Sequence, residues 1–114
     1  MVLNSATLNR RIQIQRYIET GVNGFNEVIG EWQDHGPTLF ASRTDVSDAE
    51  RRSGGGWDNF LVSRFMIRAT SFAHGIRRTD RIIHNDSTYG IDGIKEVSPG
   101  KAFLEITAVT SEPL

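Results

Sequence analysis

The chain has 114 residues, enough for one domain around a single modest core and too few for two. Its formal net charge of −1 argues against a general nucleic-acid coat, which would be strongly basic, and leaves room for a local basic patch. There is no cysteine, so neither a disulfide frame nor a thiolate metal site is available, and the apolar runs fall far short of the ~20 residues of a membrane helix. The start, Met1-Val2-Leu3-Asn4-Ser5-Ala6, has no basic stretch followed by an apolar one, which is the pattern of a secretory leader. The expectation is a soluble intracellular product without membrane contact.

Period-two patterns dominate from the start of the chain onward. Arg11-Ile12-Gln13-Ile14-Gln15-Arg16 alternates apolar and polar residues, as a half-buried strand does. Thr38-Leu39-Phe40-Ala41-Ser42-Arg43 reads as a second strand. Ser47-Asp48-Ala49-Glu50 has the form of a capping box and supports a short helix running to Arg52. Gly54 would stop that helix. Leu61 to Arg68 is the third strand, with Leu61, Phe65 and Ile67 on one face and Arg64 and Arg68 on the other.

Arg81-Ile82-Ile83-His84, the turn Asn85-Asp86-Ser87, and Tyr89-Gly90-Ile91 form a hairpin. A second hairpin runs from Ile94-Lys95-Glu96-Val97 through Ser98-Pro99-Gly100-Lys101 to a last strand that carries Leu104, Ile106 and Ala108 on one face. The predicted fold is mainly β. It is a small antiparallel barrel of about six strands, with a long insertion, residues 46 to 60, between the second and third. Insertions of that length in a small domain are functional or disordered.

The insertion holds Arg51-Arg52-Ser53-Gly54-Gly55-Gly56-Trp57-Asp58. A phosphate cradle needs its glycines between a strand and a following helix. Here they follow a helix and precede a strand, so Gly54, Gly55 and Gly56 read instead as a mobile loop. His35, His74 and His84 stand alone, without metal-ligand spacing. No Gly-x-Ser-x-Gly elbow is present, and Ser53 and Ser63 have no recognisable base. Asp45, Asp48 and Glu50 suit the start of a helix without any catalytic role. The reading is that of a non-enzyme with no cofactor and no metal. The paired arginines Arg51-Arg52 and Arg77-Arg78, with Arg64 and Arg68, are either solvated or contact neighbouring subunits or nucleic-acid phosphates. Trp57 beside the glycines has the character of an interface anchor.

An ordered set of short motifs carries a resemblance. It begins with Leu8-Asn9-Arg10-Arg11-Ile12-Gln13-Ile14-Gln15-Arg16 and continues through Glu19-Thr20, Asn23-Gly24-Phe25 and Glu31-Trp32-Gln33-Asp34. Ser47-Asp48-Ala49-Glu50, Ser63-Arg64-Phe65-Met66-Ile67-Arg68, Thr79-Asp80-Arg81-Ile82, Tyr89-Gly90-Ile91 and Val97 follow in order. Together they resemble the phage head–tail joining proteins (head-completion or stopper proteins) of siphovirus-type phages and gene-transfer particles, over residues 8 to 110. Relatives with Gly-Arg-x-Tyr-x-Ile in the late hairpin differ from Asn85-Asp86-Ser87-Thr88-Tyr89-Gly90-Ile91, and the glycine triplet is not a family signature.

The resemblance implies a virion structural protein that assembles, in the host cytoplasm, into a six- or twelve-fold ring. That ring would sit in the neck, with the portal and adaptor on its head side and the tail terminator on its tail side. It would close the DNA exit channel after packaging and offer the tail its attachment surface. DNA would pass through the lumen without sequence-specific binding, and a near-neutral chain suits that sliding because a strongly basic lumen would hold the phosphates. The insertion would gate the lumen or dock a partner through Glu50, Arg51, Arg52 and Trp57, its glycines giving it freedom. Arg64 and Arg68 would touch DNA or a neighbouring subunit. The competing reading is an OB-like barrel that binds single-stranded nucleic acid with Arg64, Arg68 and an exposed aromatic.

Overall fold

A computed structural model describes residues 8–46, 61–97 and 102–110. The strands are β1 (Arg10–Val22), β2 (Val28–Asp34), β3 (Leu39–Asp45), β4 (Leu61–Arg68), β5 (Arg81–His84), β6 (Ser87–Val97) and β7 (Phe103–Thr110), and a single helical turn, α1 (Ser71–His74), follows β4. All pairings are antiparallel, in the order β2-β1-β3-β4-β7-β6-β5, and β5 pairs back onto β1. Six strands therefore close into a ring, and β2 stands outside it, bound among the described residues to β1 alone.

The alternation read from the sequence is what closes the ring. Ile12 and Ile14 of β1 are fully buried, while the alternating Gln13 and Gln15 face the outer side. Ala41, Phe65, Ile67, Ile82, Ile91, Leu104 and Ile106 come inward from the other strands to meet them. At the centre the Phe65 ring sits edge-on to Tyr89, with centroids 5.4 Å apart, and to His84 at 5.3 Å. The His84 Nδ1–H donates to the Arg11 carbonyl at 3.1 Å, which ties β5 to the start of β1.

Helix α1 packs against the core of the ring. Thr70 caps it, its hydroxyl accepting from the Ala73 amide at 3.1 Å, and Ala73 and Ile76 are buried against the core. The ring of Phe72 stacks on His35 at 5.3 Å, where the chain turns from β2 to β3. Gly36 makes that turn with φ of +74°, and a Cβ there would fall on the Phe72 ring. Gly36→Ala is therefore expected to cost about 1–3 kcal/mol, from left-handed strain and a displaced aromatic, read as a lowered urea midpoint.

Three elements differ from the sequence reading. β2 was not expected. Its sequence, VIGEWQD, buries none of its residues fully, so no alternation marks it. With β2 counted, the strand before the insertion is the third, and residues 46 to 60 lie between β3 and β4. The segments 89–91 and 94–97 are parts of one strand, β6, interrupted by a bulge between Ile91 and Gly93. Helix α1 was not expected either, because one turn is too short to display a helical period. The turn read as Asn85-Asp86-Ser87 is the two residues Asn85-Asp86, both with positive φ, 49° and 64°, as a two-residue hairpin loop requires, and Ser87 already pairs with His84 as the first residue of β6. The expected helix from Ser47 to Arg52 and the turn Ser98 to Lys101 lie outside the described residues.

Candidate functional site

Strand β1 is longer than the ring can use. Residues 10–12 pair with β3 and residues 13–15 with β5, but from Arg16 onward the only partner among the described residues is β2. Residues 17 to 34 thus form a two-stranded arm that leaves the body of the protein. Its tip is a tight turn, in which the Asn23 side chain accepts from the amides of Phe25 at 2.8 Å and Glu27 at 3.1 Å.

The root of the arm is locked. Arg16, where β1 leaves the ring, donates from Nε to Asp80 Oδ1 at 2.8 Å and from Nη2 to Asp80 Oδ2 at 2.9 Å. The same Nη2 donates to the Gly75 carbonyl, and the Arg77 amide donates to Asp80 Oδ2 at 2.8 Å. Asp80 is only 3% exposed. Burial pushes its pKa up, but the hydrogen bonds from Arg16 and the Arg77 amide, with the guanidinium charge, outweigh that and hold it below the usual value. The hydrogen bond to Asp80 correspondingly raises the pKa of Arg16. On the outer side, Arg81 donates to Gln15, Gln15 donates to Asp34, and the Arg81 guanidinium lies 4.3 Å from the centroid of the Trp32 ring.

Beyond its root, the arm is apolar on both sides. Tyr17 stands opposite Trp32 in register, the rings edge-on at 5.5 Å, and Val22 stands opposite Val28 on the same side. Ile18 and Ile29 occupy the other side, and Phe25 sits at the tip, 84% exposed. Seven of the eight exposed large hydrophobic residues among the described residues belong to the arm, and Phe40 is the eighth. Gly30 lies under the Tyr17 ring, where any Cβ would strike that ring and the Ile18 carbonyl, so the close pairing of the two strands depends on it.

The charge of the arm is just as uneven. Residues 17 to 34 contain Glu19, Glu27, Glu31 and Asp34 and no lysine, arginine or histidine. Of the chain's 14 acidic residues, the other 10 share the rest of the molecule with all 13 cationic ones. A two-stranded ribbon is marginal alone, and so many exposed apolar side chains gathered on one element mark an interaction site. Among the described residues no group of three or more His, Cys, Asp or Glu could hold a metal ion. What the arm offers chemically is adhesion.

Of the residues picked out from the sequence, Arg64 and Arg68 do share the outer face of β4. Arg64 Nε stands 4.0 Å from Glu105 Oε1 on β7, which also takes Lys95 Nζ of β6 at 3.3 Å, so the three charges form a row across the sheet. Glu50, Arg51, Arg52, Gly54, Gly55, Gly56 and Trp57 lie outside the described residues. The arm itself was missed as a site, since Glu19, Asn23-Gly24-Phe25 and Glu31-Trp32 served only as family landmarks. The signal was there: an 18-residue stretch with four acids, no cation and seven large apolar side chains.

The geometry has close counterparts. A protein from Shigella flexneri 2a, SF1141, known from a solution structure, superposes with a TM-score of 0.68 at 28% identity over 95% of this chain and 96% of its own. A chain in the virion of a native gene transfer agent particle superposes with a TM-score of 0.65 at 21% identity, covering 90% of this chain and 94% of that one. No curated protein sequence matches. The family model for phage head completion proteins matches residues 3–112, nearly the whole length, and the chain therefore belongs to the phage head completion protein family.

Proposed function

We propose that this protein is a structural component of the virion neck. It assembles there into a ring that closes the DNA exit channel of the filled head and presents the surface to which the tail attaches. Its partners in this reading are further copies of itself, the portal or adaptor on the head side and the tail terminator on the tail side. Family membership and the likeness to a chain of a gene transfer particle support a place in the particle. The observation that carries the assembly reading is the arm, whose two apolar sides a lone subunit leaves in water.

Residues 46 to 60 are proposed as the gating or docking insertion, with Glu50, Arg51, Arg52 and Trp57 as its contacts. The nucleic-acid alternative is weakened by charge. The exposed aromatics Tyr17, Phe25 and Trp32 share their arm with four carboxylates, whereas a base-stacking platform sits in a basic groove.

Particles assembled without this chain test the proposal. They are expected to package DNA, to lose it on purification and to carry no tails, as seen by electron microscopy and nuclease sensitivity. DNA-filled, tailed particles formed in its absence would refute it.

A further inference from the structure

Four carboxylates on each arm make arm-to-arm pairing repulsive, so the arm calls for a surface of the opposite sign. Such a surface lies on the same chain, near the other end of β1. Arg11 stands opposite Phe40 in register, its guanidinium 5.2 Å from the ring centroid, and Phe40 is 57% exposed. Beside them Thr38 and Leu39 complete the lining of a shallow cavity of about 230 Å³. Arg10, next along the strand, is exposed as well. The patch is cationic and apolar where the arm is anionic and apolar, and among the described residues Phe40 is the one large exposed apolar residue outside the arm.

We infer that the arm of one subunit docks on the Arg11–Phe40 patch of a second copy of this chain, with Phe25 entering the cavity and Glu27 meeting Arg11. The inference rests on the ring reading and supplies its joint. Residues 11 and 22 are eleven apart on one extended strand, roughly 36 Å, so the arm cannot reach its own patch. A contact between different surfaces of identical subunits is head-to-tail, and such contacts either close into rings or grow into filaments. A closed ring hides every arm and every patch.

Two variants of the full chain separate this joint from ring assembly as such. Phe25→Asp spoils the arm and leaves the patch; Phe40→Asp spoils the patch and leaves the arm. Both side chains are exposed, so both variants are expected to keep the native one-dimensional NMR spectrum. In sedimentation velocity the native chain should form closed oligomers at high concentration. Each variant alone should be monomeric, and their equimolar mixture should give a dimer and nothing larger, since one good arm and one good patch remain per pair.

The chain has no cysteine. Phe25→Cys mixed with Thr38→Cys should therefore cross-link through a short bis-maleimide, and neither should do so alone. If the native chain and both variants assemble equally, or if the mixture stays monomeric while the native chain assembles, the joint is elsewhere and the ring reading stands. If the native chain stays monomeric at every concentration, the ring reading falls and the joint with it.

Discussion

Replacing Asp80 with alanine is expected to lower the unfolding free energy by about 3 kcal/mol. Removing one member of a buried ion pair costs roughly 3–5 kcal/mol because the other is left without its partner. The low end applies here, since the Arg16 side chain keeps 18% of its surface in water. The substitution also orphans the Arg77 amide. Asp80→Asn, which keeps the shape and one acceptor, should cost less.

The same pair sets the acid limit of the fold. The folded pKa of Asp80 lies below its usual 3.8, so its contribution is fully present above that value and is lost as pH falls through the folded one. Asp45 acts in the same direction. Burial raises its pKa, and hydrogen bonds from the Ser63 hydroxyl and Arg43 more than reverse that. Urea midpoints should be level near neutrality and decline below about pH 4. The decline should be shallower in Asp80→Ala, because one of the two groups with lowered pKa among the described residues is gone. An acid decline unchanged in the variant would mean that the Arg16–Asp80 pair does not act as described.

Removing the arm is expected to abolish assembly while leaving the fold. Residues 19–30 can be replaced by Asn-Gly, because Ile18 and Glu31 stand opposite each other and a two-residue turn bridges such a pair. Tyr17, Trp32 and the whole ring core remain. The body is expected to unfold within about 1 kcal/mol of the native chain, since the deleted residues bury nothing in the core. Association should weaken by at least about 100-fold, since several exposed apolar anchors are lost and well-packed interface anchors contribute ~2 kcal/mol or more each. Sedimentation equilibrium and the yield of tailed particles measure this. A shortened chain that assembles as the native one does would remove the arm from the account.

The two outcomes depend on different parts of the sequence, and these were not equally legible. The ring strands could be read because burial writes a period of two: Ile12 and Ile14 in β1, Phe65 and Ile67 in β4, and Leu104, Ile106 and Ala108 in the last strand all alternate with outward residues. Arg64 and Arg68 fell on the outer face for the same reason. β2 could not be read in this way. A strand buried on neither side has no inward set, and VIGEWQD shows adjacent apolar residues, a glycine and acids.

The break inside β6 has a different cause, since the bulge before Gly93 shifts the pairing register within one continuous strand. Helix α1 rests on a Thr70 cap and contacts to the ring, which are tertiary facts that four residues cannot announce. The arm as a site depends on a property visible only once the pairing is known. Its apolar residues lie on both sides of a ribbon that has left the core, so none of them is satisfied at home.

Imaging the neck of assembled particles decides whether the subunits form a ring joined by their arms. A closed ring of this chain is expected across the DNA exit channel, with density for residues 17 to 34 of each subunit lying on Arg11 and Phe40 of the next. A neck without this chain, or a ring whose arms extend into solvent, would contradict it.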